Sequence, residues 1–491
     1  MTDTTLSEAE AWLVAGRAAE ALMAAETRLA HAVRDRRAGD LRDRALAAIQ
    51  TMDPVFAALQ LDAAVNPEKI EAHMELGHAY LAQERFVDAE RCFKRALALD
   101  PSSAEAHASL GLAYLAVGID DGAQHHSLQA LAANSRHAVA SQTLASLIDA
   151  RGEAADAQAL LEQAYRHQAI YAQPSTSPLA RVLVLATARA GNTPYRAIMP
   201  KARYSRLVWY MEYARAEETP DPHLYDVVFN TIGDADLAEP SLAAVQQFLA
   251  GCPKGVLNDP AKVARTRRDR VPDLLAGIPD VVVPRTVRLD GAGIAAAGGL
   301  AAAAARLGFT GSTLVRPAGS HGGRGLTLAT DLEAMAALPP WTGDCYLTEF
   351  VDYRSADGLF RKQRVLFVDR QPYAYHHAVS DGWMVHHETS GMDGQVEWRA
   401  EEARFLEDTE GVIGARAMAA VAAIGRAVDL DYAGVDFAVM PDGKVLVFET
   451  NATMLAHFED AAGPYAHKNP HVQAIATAFQ TLLARRAGRP A

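Results

Sequence analysis

Asp436, Glu449 and Asn451 lie in one run near the C-terminus, GVDFAVMPDGKVLVFETNATM. An aspartate sits in an apolar stretch, Pro441-Asp442-Gly443-Lys444 supplies turn residues, and a second apolar stretch ends in Glu-x-Asn. Period-2 alternation on both sides of such a turn predicts a β-hairpin. A hairpin of this kind can bring Asp436 beside Glu449 and Asn451 on one face. Three hard oxygen donors at one point suit Mg²⁺, with Mn²⁺ as an alternative. The competing reading is a solvated strand face. It is disfavoured because burying unpaired donors within apolar strands costs several kcal/mol.

Further residues with phosphate chemistry lie upstream. STLVRPAGSHGGRGLTLATD places Arg316 in an apolar strand, then Gly319, Ser320, His321, Gly322, Gly323, Arg324 and Gly325, then another strand. Glycine lets a backbone approach phosphate closely and turn its N–H groups toward it. The strand–loop–strand setting differs from the P-loop, whose glycines open a helix, and Gly-Lys-Ser/Thr is missing. YLTEFVDY carries Glu349 ahead of Phe350 and Val351. FRKQRVLFVDRQPYAYHHAVS puts Arg364 in one strand and His376 and His377 in the next. Asn258-Asp259-Pro260 opens a helix crowded with Arg265, Arg267, Arg268 and Arg270, either a solvated basic face or a phosphate sink. His321, His376 and His377 read as hydrogen-bonding surface or loop histidines, with orientation of a substrate or proton transfer from an amine as the functional alternative. His386 and His387 are read the same way. They fall in the weakly periodic segment 381–394, which could act as a mobile lid.

These residues need scaffolds. The 491 residues suffice for about three domains at a usual ~150 each. The balance of 47 basic and 60 acidic residues, a net −13, disfavours nucleic acid or an anionic membrane as partner. Cys92, Cys252 and Cys345 have no metal-ligand spacing and read as small buried hydrophobes in a reducing compartment. The N-terminal MTDTTLSEAEAWL is acidic, and no apolar run reaches the ~18–20 residues of a membrane span. A cytoplasmic protein without membrane contact is expected. After a linker over 173–178, the segments 181–186, 207–213 and 226–236 read as strands and EPSLAAVQQFLAG as a helix. Strands alternating with helices argue for a parallel sheet whose ligands lie beyond the strand C-ends. Asn192 and 230–234 fall there, as substrate contacts or as ordinary loop caps.

The N-terminal third repeats. Leu76, Leu110 and Leu144 are spaced by 34, as are Ala89, Ala123 and Ala157, and Ala96, Ala130 and Ala164. Gly77-x-x-Tyr80 returns as Gly111-x-x-Tyr114, and Pro67 and Pro101 mark unit boundaries. This resembles the tetratricopeptide repeat (TPR) over about 65–168. His73 stands where Trp is usual, and the third unit has Ala145 in place of glycine. Residues 6–60 are helical in pattern but out of register, as expected of a terminal cap. The resemblance implies a groove for a peptide or protein partner. Met74, His78, Ala108 and Leu112 occupy groove positions, so the familiar Lys/Asn carboxylate clamp is not expected. An array that only holds a dimer or packs on its own enzyme is the alternative.

The order of the remaining motifs resembles the ATP-grasp superfamily over about 255–485, with its usual preceding domain from about 180. The resemblance implies two α+β halves that clamp ATP. Glu349, Phe350 and Val351 would border adenine. Arg316, Arg270 and the loop 319–325 would bind phosphates, and Asp436, Glu449 and Asn451 would carry the metal. Three departures stand out. Arg316 replaces the usual lysine before the glycine loop, and Arg267, Arg268 or Arg270 replaces a second lysine. Gly434 stands where dipeptide-forming relatives often carry arginine, and Arg364 is the candidate to supply that charge. Arginine keeps the positive charge and can grip phosphate bidentately. The expected fold is multidomain: an all-α TPR superhelix (1–172), an α/β pre-ATP-grasp domain (179–285) and an α+β ATP-grasp domain (286–488). The implied activity is an ATP-dependent carboxylate–amine ligase working through an acyl phosphate, with Arg364 and Arg316 catalytic. The alternatives are a small-molecule phosphotransferase and a TPR adaptor that holds ATP without turnover.

Overall fold

The computed structural model describes residues 3–32, 35–175, 178–320, 322–385 and 391–489. His321, His386 and His387, the centre of the expected lid (386–390) and part of the expected linker (176–177) lie outside the described residues. The chain divides into two compact units, Met1–Arg181 with Lys201–Val208, and Val182–Pro200 with Trp209–Ala491.

Among the described residues, the first unit contains ten helices: α1 (Asp3–Val14), α2 (Ala18–His31), α3 (Arg36–Thr51), α4 (Pro54–Val65), α5 (Ile70–Ala82), α6 (Phe86–Leu99), α7 (Ala104–Ala116), α8 (Asp120–Ala133), α9 (Ala138–Ala150) and α10 (Ala154–His167). From α7 onward, each helix starts 34 residues after its counterpart in the preceding pair. The repeated alanines explain the pairing. Ala89, Ala123 and Ala157, like Ala96, Ala130 and Ala164, are buried where helices cross. Gly77 has a steric reason to be glycine: a Cβ there would lie 2.5 Å from Phe93 Cε1. The third pair manages with Ala145, which is buried.

The chain then enters β1 (Ile170–Gln173), β2 (Ala180–Ala186) and β3 (Tyr204–Tyr210), a stretch that the boundary between the units divides. In the second unit, β2, β4 (Val227–Asn230) and β5 (Val256–Leu257) are parallel, with Val182 opposite Val227 and Val228 opposite Val256. Of two expected strands, one lies three residues earlier and the other is shorter than the sequence suggests. β3 stops at Tyr210 and gives way to a 3₁₀ turn, Met211–Tyr213. β4 ends at Asn230 because polar side chains take over from the ladder. Thr231 Oγ1 donates to Leu185 O at 2.7 Å, and Asp234 Oδ1 accepts from Asp236 N at 2.7 Å. The arginine-rich segment is not one helix. It breaks into Pro260–Val263, a 3₁₀ turn at Ala264–Thr266, and Val271–Leu274. Pro272 is tolerated only in a first helical turn, so the chain must restart there.

Two further sheets follow. One is four-stranded, in the order β7 (Thr286–Leu289), β10 (Cys345–Glu349), β8 (Thr313–Pro317), β9 (Thr327–Ala329). The other is five-stranded, in the order β12 (Gln371–Ser380), β11 (Phe360–Val368), β13 (Tyr432–Val439), β14 (Val445–Asn451), β6 (Val281–Val282). Helix Ala415–Val428 covers the second of these, packing Val421, Ile424 and Val428 with Phe367, Val435 and Phe437. Ile294, Leu300 and Met335 fill the core under the first, against Val315 and Leu347. An all-α TPR-like region, then a parallel α/β sheet, then two mainly antiparallel sheets is the expected order of architectures. Among the described residues, no helix is long and apolar enough to cross a membrane.

Candidate active site

β13 and β14 form the expected hairpin. Asp436 pairs with Glu449 and Gly434 with Asn451, with a register shift just after Asp436. The turn closes because Asp442 Oδ1 accepts from Lys444 N at 3.1 Å and Gly443 adopts φ +82°. That φ suits glycine and strains other residues. Asp436, Glu449 and Asn451 all line one cleft of about 540 Å³.

β11 adds the cations. It runs antiparallel to β13 with Arg364 opposite Asp436. Alternation then puts Lys362 and Arg364 on one face. Arg364 grips Asp436 bidentately, Nε to Oδ1 at 2.6 Å and Nη2 to Oδ2 at 2.9 Å. Lys362 Nζ lies 3.1 Å from the same Oδ2. Burial pushes the Asp436 carboxyl up, but Arg364 and Lys362 outweigh it and hold it well below the usual range. Glu449 has its own pair. Arg268 Nη1 donates to its Oε2, and Arg316 Nη1 lies 3.9 Å from that oxygen. Burial again acts upward, and Arg268 and Arg316 bring Glu449 down to about 2. Arg316 is held against its own charge: burial and the neighbouring Arg268 lower its guanidinium below the usual value.

The glycine loop joins β8 to β9, as expected. Gly319, Gly322, Gly323 and Gly325 all have φ between 62° and 73°. Ser320 ties the loop to β8, since Arg316 donates to Ser320 Oγ at 3.1 Å and to Ser320 O at 2.8 Å. Gly322 and Gly323 line the cleft, as do Glu349, Phe350 and Val351 at the end of β10. Glu349 faces Arg285, 3.7 Å away, and the Phe350 ring meets Trp383 edge-on at 5.8 Å between centroids. Trp383 and Met384, from the described start of the expected lid, line the same cleft.

Some expected site residues fall elsewhere. Arg270 is exposed and outside the cleft, whereas Arg268 lines it. Arg324 and Gly325 are exposed and do not line the cleft. Neither does Gly319, where a Cβ would lie 3.0 Å from Leu237 Cδ2. His376 and His377 are not surface or loop residues. They are buried in β12, where His376 Nδ1 meets Glu402 and His377 Nε2 lies 2.9 Å from Glu401. Two carboxylates on helix Val396–Glu407 offset the cost of that burial. Asn192 lines the cleft, whereas Asn230 is interior and donates to Asn258 O at 2.9 Å. Lys362 is a site residue that the sequence reading misses, although its period-2 relation to Arg364 is an available signal.

Gly434 also has a structural reason. A Cβ there would lie 2.6 Å from Met454 Cγ and 2.8 Å from Leu366 Cδ2, so no arginine fits. The guanidinium on Asp436 comes from the neighbouring strand instead, through Arg364.

The donor set suits a divalent cation bound with phosphate. Two carboxylates and one amide oxygen are hard ligands. Arg268, Arg316, Lys362 and Arg364 line the cleft with them, four cations against the three anions Asp436, Glu449 and Glu349. Guanidinium and ammonium groups gathered at two carboxylates suit the anionic oxygens of a metal-bound phosphate chain.

No curated protein matches the chain. Among solved structures, the D-Ala:D-Ser ligase VanG of Enterococcus faecalis aligns at 15% identity, covering 62% of this chain and 99% of its own, with a TM-score of 0.36. The ATP-complexed D-alanine–D-alanine ligase of Bacillus anthracis aligns at 13% identity over 64% of this chain and 100% of its own, with a TM-score of 0.35. A thermophilic TPR protein of Thermus thermophilus aligns at 24% identity over 34% of this chain and 90% of its own, with a TM-score of 0.22. Within the first unit, residues 77–118 match the family model described as TPR repeat, inside the stretch where the 34-residue period is read.

Proposed function

We propose that the second unit is an ATP-dependent carboxylate–amine ligase that releases ADP, and that the TPR-like array recruits a peptide or protein partner. The reading keeps the three-domain division at 1–172, 179–285 and 286–488. It rests on one observation: Asp436 and Glu449 face each other in a cleft, each held by cations from other segments.

Asp436, Glu449 and Asn451 would hold Mg²⁺, which when bound offsets the charge that gathers during phosphoryl transfer. Arg268, Arg316 and Lys362 would grip phosphate oxygens, with backbone N–H groups of the loop at Gly322 and Gly323. Arg364 would orient Asp436. Val351 and Phe350 would flank the adenine. The substrate carboxylate oxygen attacks the γ-phosphorus as the bond to the bridging oxygen of ADP breaks. An amine then attacks the acyl carbon, inorganic phosphate leaves, and the amine proton passes to water or a basic side chain. No covalent nucleophile from the protein is needed. Trp383 and Met384, on one lip of the cleft, would help exclude water that competes with the amine.

Glu449→Gln removes one metal-binding charge while keeping side-chain size. ADP release in the presence of mixed acids and amines should fall by about 10²-fold or more. Turnover equal to that of the unaltered protein contradicts the assignment. The mass of the product separates a ligase, which joins two molecules, from a phosphotransferase, which only adds phosphate.

A further inference from the structure

Every side chain in the proposed metal site is already engaged by the protein. Asp436 is 1% exposed, and Arg364 and Lys362 between them occupy both of its oxygens. Arg268 holds Glu449 Oε2. Asn451 Oδ1 accepts from both the backbone N–H and the hydroxyl of Thr453, each at 2.9 Å. A divalent cation arriving alone would have to displace charge-assisted hydrogen bonds from a buried and a half-buried carboxylate. It would also enter a cleft where four side-chain cations already outnumber three anions. Poor screening inside the cleft makes that repulsion strong.

A triphosphate changes both terms. Its oxygens offer the guanidinium and ammonium groups a new anionic partner, and its charge cancels the surplus. The three close cation contacts are not equivalent. Arg364 is locked on Asp436 by two parallel bonds of 2.6 and 2.9 Å. Lys362 makes a single 3.1 Å contact from a flexible stem, and Arg268 reaches Glu449 through one nitrogen. Lys362 and Arg268 are the ones able to change partner.

We propose that Arg268 and Lys362 make metal binding conditional on the nucleotide: they hold Glu449 and Asp436 until phosphate oxygens draw them away, and only then do the carboxylates accept a divalent cation. This rests on the ATP and metal reading of the same cleft. In this scheme Arg268 and Lys362 act on the metal through its ligands, besides gripping the phosphate oxygens.

The test uses the full chain with Mn²⁺ as the probe, read by water-proton relaxation enhancement, with nucleotide-only samples subtracted. Unaltered protein should bind no Mn²⁺ alone up to about 1 mM. It should bind Mn²⁺ once saturated with AMP-PNP. Arg268→Gln and Lys362→Met should each tighten binding of Mn²⁺ alone by about tenfold or more. The same variants should weaken AMP-PNP. A merely structural role would move both affinities in the same direction. The two residues lie on different segments, so misfolding of one variant, checked by thermal unfolding, leaves the other to decide. If the unaltered protein binds Mn²⁺ equally well with and without AMP-PNP, this inference falls and the ligase reading stands. If neither variant changes binding of Mn²⁺ alone, it falls as well. If AMP-PNP brings no Mn²⁺ to the protein, the nucleotide reading fails and the inference falls with it.

Discussion

The two units obtain their order by different routes. In the first, polar contacts that cross between repeats span short sequence distances: Tyr114 to Glu90 over 24 residues, His78 to Ser109 over 31 and His137 to Glu105 over 32. Each helix pair needs only its neighbour. In the second, the decisive contacts are long. Arg268 reaches Glu449 over 181 residues, and Thr193 Oγ1 donates to Ala452 O over 259 at 2.7 Å. A repeat can be damaged locally. A cleft assembled from distant segments depends on the whole unit holding register.

The largest effect should come from breaking a buried long-range network. Glu402 is fully buried and shared by His376 and by His467, which lies 3.1 Å away. Burial pushes this carboxyl up, yet the two histidines hold it well below its usual range. Glu402→Ala should cost about 3–5 kcal/mol, measured by denaturant unfolding. It should also lower ADP release, because the same helix anchors β12, the neighbour of β11. A loss under about 1 kcal/mol would mean the network is peripheral.

A smaller and more local effect is expected from Gly77→Ala. The added methyl would press on Phe93 at 2.5 Å and cost about 1–3 kcal/mol. Thermal unfolding followed separately for the two units should show the first melting earlier and the second unchanged. Partner-independent ADP release should be unaffected. An equal loss in both units would erase the contrast between them.

The smallest effect is the pH response, because the groups involved are partly solvated. Burial, then the neighbouring His107, His125 and Lys94, lower His126 to about 4. The unfolded chain binds that proton more readily, so the first unit should lose stability as pH falls from about 6.5 toward 4. Glu401 behaves differently. Burial raises it, but hydrogen bonds from His377 and Arg361 prevail and bring it to about 2. Its contribution is complete above about 4.5 and fades only as pH falls toward 2. Unfolding midpoints measured from pH 7 to 3 should therefore drop first in the first unit. Loss in the reverse order would overturn the assignment of these groups.

Local chemistry made much of this protein legible from its residues. The 34-residue period appears in sequence because every repeat solves the same packing problem with the same small side chains, and helix starts recur at that spacing. The β13–β14 hairpin was readable because turn residues and period-2 alternation act over a few positions. The strand–glycine–strand loop was readable for the same reason. Tertiary structure alone decided which of several adjacent arginines enters the cleft. Arg268 lines the cleft while Arg270, two positions on, is exposed. It also decided that Gly434 gives its space to Met454 while Arg364 serves Asp436 from another strand. Spacing along the chain determines which face a side chain takes. Which charge it then meets depends on segments far away in sequence, whose approach is set by the packing of whole sheets.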